Sequence, residues 1–98
     1  MKFKVYTIAA KQDEANKYKW DILYTTPTDE VIDITVDLSP NYSDELVSYT
    51  EVMEKLSHIH KFNDPLFWYD CEKDDPVDLR GFVISDDYNE PILELIAV

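Results

Sequence analysis

The sequence predicts an α+β fold, in which an antiparallel β-sheet of about five strands carries one main α-helix packed on one face. Several short segments alternate apolar and polar residues, a pattern typical of strands with one buried face. A single later segment repeats apolar residues at helical spacing. With 98 residues and 45% apolar side chains, residues 1–98 are expected to form one domain around one core.

The N-terminal half is expected to contribute three strands. Residues 3–9 alternate and form the first strand, and the polar residues that follow form a loop. The stretch 18–38 alternates twice, with an interruption at residues 25–30 that contains Pro27 and Asp29. Both residue types favour turns, so the stretch is interpreted as a β-hairpin.

The predicted hairpin has one apolar face and one acidic face. Aligning the apolar side chains pairs Ile22 with Ile34, and these residues are expected to form a wall of the core. The opposite face then carries three aspartates, Asp21, Asp33 and Asp37.

The predicted helix covers residues 48–61, with a central part at residues 52–59. Ser48 and Glu51 form an S-x-x-E capping box, which marks a helix start, although Ser43 is a possible earlier start. The apolar residues that follow share one face of the helix: Tyr49, Val52, Met53, Leu56, Ile59 and Phe62.

The C-terminal third is expected to complete the sheet. Residues 66–69 form an apolar block that fits either a strand or a buried turn. An acidic loop follows at residues 70–78. Residues 79–85 and 91–98 alternate on either side of a polar turn, which predicts a final hairpin.

The net charge of −12 is unevenly distributed along the chain. Residues 1–20 carry five lysines against two acids, whereas residues 21–98 carry four basic residues against nineteen acids. Such a field repels nucleic acids and anionic membranes and attracts a basic protein surface or a cation. Solubility, or adaptation to a salty cell interior, is the alternative explanation of the charge.

The location expected from the sequence is the cytoplasm. The first ten residues lack the sustained apolar run of a signal peptide, and no apolar run approaches a membrane span of roughly 18 residues. The single cysteine, Cys71, has no second cysteine with which to form an internal disulfide.

The sequence offers only weak indications of a catalytic site. Cys71 with His58 or His60 as base is a possible nucleophilic pair, but Asp70 and Glu72 disfavour the reactive thiolate. The single glycine excludes the glycine-rich phosphate-binding and nucleophile-elbow motifs. We therefore expect no enzymatic activity and no cofactor.

Candidate metal sites fail on spacing. His58 and His60 with Cys71 have zinc-binding side chains, but residues two apart on a helix diverge by about 200°. Residues 70–74 imitate the start of a calcium loop, but Asp75 and Gly81 occupy the places of its glycine and glutamate. We expect no metal site, with weak cation binding at residues 70–78 left open.

Binding to a partner is the better prediction. Trp68 and Tyr69 precede the acidic loop, and aromatic rings beside carboxylates attract arginine and lysine side chains. Burial in the core is an alternative for this block, and it fits Phe67 and Trp68 better than Tyr69. The expected partner-binding residues are Asp21, Asp33, Asp37, Tyr69, Glu72, Asp74 and Asp75.

In size, charge and fold class the chain is similar to small acidic inhibitors that imitate nucleic acid, such as phage-encoded blockers of restriction or CRISPR machinery. Alternate residues of a strand lie about 6.8 Å apart, close to the spacing of successive phosphates. We therefore expect a non-enzymatic protein that blocks a basic, nucleic-acid-binding surface of another protein. The alternatives are an immunity or antitoxin protein that neutralises a basic nuclease, and a small acidic cation-binding or metabolic protein.

Overall fold

Five antiparallel strands and one short helix make up the computed structural model, which describes residues 1–37, 45–72 and 78–98. The elements are β1 (Lys2–Gln12), β2 (Trp20–Asp33), α1 (Tyr49–Leu56), β3 (Leu66–Cys71), β4 (Leu79–Asp86) and β5 (Glu90–Ala97). The strands lie in the order β2-β1-β5-β4-β3. The predicted α+β fold is confirmed. Among the described residues, no helix is long and apolar enough to span a membrane.

The core lies on one face of the sheet, under α1 and the chain segments that flank it. Alternation along each strand directs one set of apolar side chains to this face. The most buried core side chains come from β1, β4, β5, α1 and the residue that follows β2. They are Phe3, Val5, Ile34, Val52, Leu56, Phe82, Ile84, Leu93 and Leu95.

The opposite side of the sheet, the open face, has no helix over it among the described residues. The register of the strands places the other set of side chains here, in rows that run across the sheet. Its apolar members include Tyr6, Val31, Leu66, Trp68, Val83 and Ile96.

The capping serine of α1 is where the sequence places it, but the helix is shorter than predicted. Ser48 is the N-cap, and its side chain accepts a hydrogen bond from the Glu51 N–H at 3.4 Å. The helix ends at Leu56 instead of continuing to residue 61, because the chain turns through residues 57–59. The side chains of His58 and His60 then reach Glu30 and Asp86, and these tertiary contacts favour the turn over further helix.

The predicted central hairpin is wrong. Residues 20–33 form one strand, β2, which pairs with β1. Pro27 has no backbone N–H to donate. It is tolerated because β2 is an edge strand, which has a hydrogen-bonded neighbour on one side only. The residues after it form an irregularity instead of a turn, since Lys4 pairs with Val31 and Tyr6 pairs with Pro27. There the Thr28 hydroxyl donates to the Val5 carbonyl at 2.7 Å.

The apolar wall assigned to this hairpin is therefore also incorrect. Ile34 is buried, but Ile22 is exposed and pairs with Ala10 instead. Tyr24 is 63% exposed. These side chains lie where β1 and β2 continue past the end of the β1–β5 pairing, so they project as a two-stranded arm beyond the core.

The tip of the arm is held against the β4–β5 turn. The Trp20 indole N–H donates to the Tyr88 carbonyl at 2.9 Å, and Lys17 Nζ lies 4.6 Å from the Tyr88 ring centroid. Tyr88 has a φ of 56° and Asn89 a φ of 64°. Asparagine tolerates this left-handed conformation, whereas tyrosine adopts it rarely.

The C-terminal hairpin is confirmed, and residues 66–71 form a strand rather than a buried turn. The segment between α1 and β3 is fixed by one buried carboxylate, Asp86. Its oxygens accept hydrogen bonds from the backbone N–H groups of Asn63 at 3.0 Å and Asp64 at 2.8 Å. His60 Nε2 lies 3.3 Å from the same carboxylate.

Candidate functional site

The three aspartates expected on one hairpin face do not form one surface. Asp21 and Asp33 lie near opposite ends of a single 14-residue strand, so they belong to different parts of the molecule. Asp21 pairs in register with Lys11 on the arm. The spacing of alternate carboxylates on one strand, on which the comparison with phosphates depended, is not present at these residues.

Asp33 is partly neutralised by the chain terminus. Its Oδ1 accepts a hydrogen bond from the Met1 ammonium group at 3.0 Å. This contact lowers the pKa of the Asp33 carboxyl below its ordinary value, since it favours the charged form.

Asp37 lies in an acidic depression with residues that the sequence analysis did not select for binding. The segment that contains Asp37 runs antiparallel to residues 45–47, through a Val36–Val47 bridge and a 2.8 Å bond from the Asp37 N–H to the Leu46 carbonyl. The resulting concavity, about 370 Å³ in volume, opens beside the first turn of α1. Its lining residues are Thr35, Asp37, Glu45, Leu46, Val47, Ser48 and Glu51.

Glu51 is the fixed carboxylate of the acidic depression. The Thr35 N–H donates to its Oε1 at 2.8 Å, and this bond is the main reason that the pKa of Glu51 lies below its ordinary value. Lys55 Nζ lies 3.6 Å from the same oxygen and also donates to the Asp33 carbonyl. Glu51 is therefore ionised and oriented at neutral pH, with one cation at its side.

Tyr69 and Trp68 have the reverse of the expected environments. Tyr69 faces the core, where its ring lies 5.8 Å from that of Phe82 and its hydroxyl accepts a bond from the Leu46 N–H at 3.3 Å. Burial raises the pKa of the Tyr69 hydroxyl. Trp68 instead lies on the open face and is 54% exposed. Its indole N–H donates to the Ser85 hydroxyl at 2.8 Å.

The remaining predicted residues lie around the β3–β4 connection. Glu72 is exposed immediately after β3. Asp74 and Asp75 lie outside the described residues, so their predicted role in binding stays a prediction.

Many other carboxylates are distributed over the whole surface. Within the described ranges, several have no hydrogen-bond or ion-pair partner, and they come from the arm, the irregularity in β2, α1, the loops and β5. These are Glu14, Asp21, Asp29, Glu54, Asp64, Glu72, Asp78, Glu90 and Glu94. The charge of −12 is therefore displayed on many sides of the molecule and not along one stripe.

The two histidines and the cysteine do not converge. His58 Nε2 lies 2.6 Å from Glu30, His60 contacts Asp86, and Cys71 is half-buried at the end of β3. Across residues 1–37, 45–72 and 78–98, no group of three metal-ligating side chains has a geometry suited to a metal ion.

Sequence reasoning missed the contribution of Glu45 and Glu51 to the acidic depression. Glu51 was assigned to the helix cap, and no local pattern marks Glu45, because only the pairing of two short segments brings it beside Asp37. Comparison with known proteins adds no further assignment: no family model, no curated protein and no solved structure matches this chain.

Proposed function

We propose that the chain is a non-enzymatic, cytoplasmic interaction protein that binds and blocks a basic surface of a protein partner, of the type used to bind nucleic acid. The observation that carries this proposal is the acidic depression, where Asp37, Glu45 and Glu51 line one concavity on a chain of net charge −12. A lysine or arginine head group has the charge that complements it.

The geometry favours a cationic side chain over a diffuse counterion. Glu51 is held in place by the Thr35 N–H, so its carboxylate loses little freedom on binding. The unpartnered carboxylates elsewhere supply the long-range field that increases the encounter rate with a basic partner.

The test is fluorescence anisotropy with a labelled oligoarginine peptide, and with a labelled oligoglutamate of equal length as the negative probe. The test variant is Asp37→Lys/Glu45→Lys. The matched control is Asp29→Lys/Glu90→Lys, which has the same net charge but leaves the acidic depression intact. We expect the test variant to weaken oligoarginine binding about tenfold or more and the control to weaken it much less.

A second measurement addresses blocking. The protein should displace labelled duplex DNA from a basic DNA-binding domain, and the displacement should weaken as salt increases because screening reduces charge attraction. Equal loss of binding in the two double variants would assign the effect to net charge alone and would remove the depression as the site.

A further inference from the structure

The open face is a side of the sheet that carries apolar side chains and has no helix over it among the described residues. Its apolar side chains come from all five strands. The most exposed of them are 38% to 54% exposed, with Ile96 at the lower limit and Trp68 at the upper limit. The register extends the face onto the arm, because Ile22 pairs with Ala10 on the same side as Tyr6. Contiguous exposed apolar side chains of this kind are typical of interaction sites.

The charge of the open face differs from that of the rest of the molecule. The register and the Arg80–Asp70 contact place three basic side chains on this face, Lys2, Lys4 and Arg80, and three acidic ones, Asp33, Asp70 and Glu94. Arg80 and Asp70 already lie 3.9 Å apart. The face therefore has no net charge, although the whole chain has −12.

We infer that the open face is the interface of a homodimer, in which two copies of the chain pack sheet against sheet. A basic partner is attracted to acidic surface and gains no net electrostatic attraction at a charge-balanced face. A second copy, in contrast, also carries a charge of −12, so the acidic surfaces of the two copies repel each other. The charge-balanced open face is where this repulsion is weakest. Interspersed charges of both signs also allow Lys4 and Glu94 of one copy to meet opposite charges of the other.

The size of the face fits this occupant. Five strands about 4.8 Å apart and about eight residues long span roughly 24 by 26 Å, or about 600 Å² in projection. Stable interfaces bury about 800 Å² per partner, and side-chain relief makes the accessible area larger than the projection. Two sheets that pack in this way lie about 10 Å apart.

The open face is not flat around Gly81. A Cβ at this position would lie 2.1 Å from the Leu95 carbonyl oxygen, so a side chain does not fit. Beside Gly81 the open face has a notch of about 200 Å³. Its lining includes the apolar side chains of Trp68, Val83 and Ile96 and the charged side chains of Asp70, Arg80 and Glu94. An apolar side chain of the second copy has room to enter this notch.

The dimer is independent of the proposed function, because the acidic depression lies beside α1 on the other side of the sheet. The two also respond oppositely to salt. Each copy carries −12, so added salt screens the repulsion between copies and favours the dimer, whereas it weakens the binding of a basic partner.

The test is sedimentation equilibrium of the full chain at low and high salt, over micromolar to submillimolar concentrations. We expect a monomer–dimer equilibrium that shifts toward dimer with salt. Ile96→Asp should raise the dissociation constant about tenfold or more. Tyr24→Asp is the matched control, since Tyr24 is an exposed strand residue that pairs with Ala9 on the other side of the sheet. Val31→Asp replaces Ile96→Asp if circular dichroism shows that the latter is unfolded.

Tryptophan fluorescence provides a second measurement. In a Trp20→Phe variant the emission reports Trp68 alone, and it should shift to the blue and become less accessible to acrylamide as concentration and salt increase. A monomer under all conditions would falsify the inference. A dimer that Tyr24→Asp dissociates and Ile96→Asp does not, or one in which Trp68 stays fully accessible, would place the interface elsewhere and also overturn it.

Discussion

Removal of the Asp86 carboxylate should destabilise the protein far more than removal of the carboxylate next to it. Asp86 is 7% exposed and fixes the α1–β3 connection through the N–H groups of Asn63 and Asp64. A hydrogen bond to a charged group contributes about 1.5–3 kcal/mol. Because water reaches the exposed Asn63 and Asp64 in the variant, the lower value applies to each bond. Asp86→Ala should therefore lower the free energy of unfolding by about 3 kcal/mol.

The pH dependence of this contribution follows from the pKa of Asp86. Burial acts to raise the pKa, but the N–H donors of Asp64, Asn63 and Asp87, together with His60, outweigh it, and the pKa lies below its ordinary value of 3.8. A lowered folded-state pKa stabilises the protein above pH 3.8, and the stabilisation is lost as the pH falls through the folded-state value. Asp86→Asn imitates the protonated group, so its difference from the wild type should disappear at acid pH.

The assay is urea unfolding followed by circular dichroism at neutral pH and in steps below pH 4. Asp87→Asn is the control, because this neighbouring side chain is exposed and only accepts one bond, from the Asn63 amide at 3.3 Å. It should change the free energy of unfolding by less than about 0.5 kcal/mol. If Asp86→Ala at neutral pH is no more destabilising than Asp87→Asn, the anchoring role assigned to Asp86 is wrong.

Three further predictions concern local structure. Ser48→Ala should cost about 1 kcal/mol in urea unfolding through loss of the helix cap, whereas Ser57→Ala, at the other end of α1, should cost less. Gly81→Ala should destabilise the β4–β5 pairing by about 1–3 kcal/mol, since the new methyl group would overlap the Leu95 carbonyl; an unchanged urea midpoint would contradict this. Trp20→Phe removes the bond to the Tyr88 carbonyl, so amide hydrogens at residues 20–24 should exchange faster while those of β4 stay protected; equal protection in both proteins would show that the arm is held by other contacts.

Local patterns predicted β1, β4 and β5, left β3 open between a strand and a buried turn, and failed at β2, whose environment is set by distant residues. Alternation and turn residues were sufficient for β4 and β5, and the S-x-x-E pattern located the start of α1. In β2 the same kind of signal failed, because Pro27 indicates a turn in a central position but is compatible with a strand at an edge. Whether β2 becomes an edge depends on β5 lying on the other side of β1, and no local pattern encodes that neighbour.

The candidate site was less predictable than the fold for the same reason. Alternation at residues 18–24 indicates two different faces but not what covers them, and here the strand extends beyond the core. The acidity of the chain was evident from composition, yet the grouping of Asp37 with Glu45 and Glu51 requires the contact between residues 36 and 47. Composition therefore led to the prediction of a basic partner, which stays a prediction, and only the tertiary structure brings these three carboxylates together.

The division of charge between the two sides of the sheet gives a physical reason for both proposals to hold in one molecule. An evenly acidic protein of net charge −12 would repel its own copies in every orientation, and dimerisation would need large apolar burial to overcome this repulsion. In the proposed dimer, Lys2, Lys4 and Arg80 would remove that cost locally by balancing Asp33, Glu94 and Asp70 on the open face. The acidic depression, beside α1, would face away from a second copy that packs on the open face. A dimer built in this way would present two acidic depressions on opposite outer sides, so a partner with two basic sites would bind with higher avidity than a partner with one.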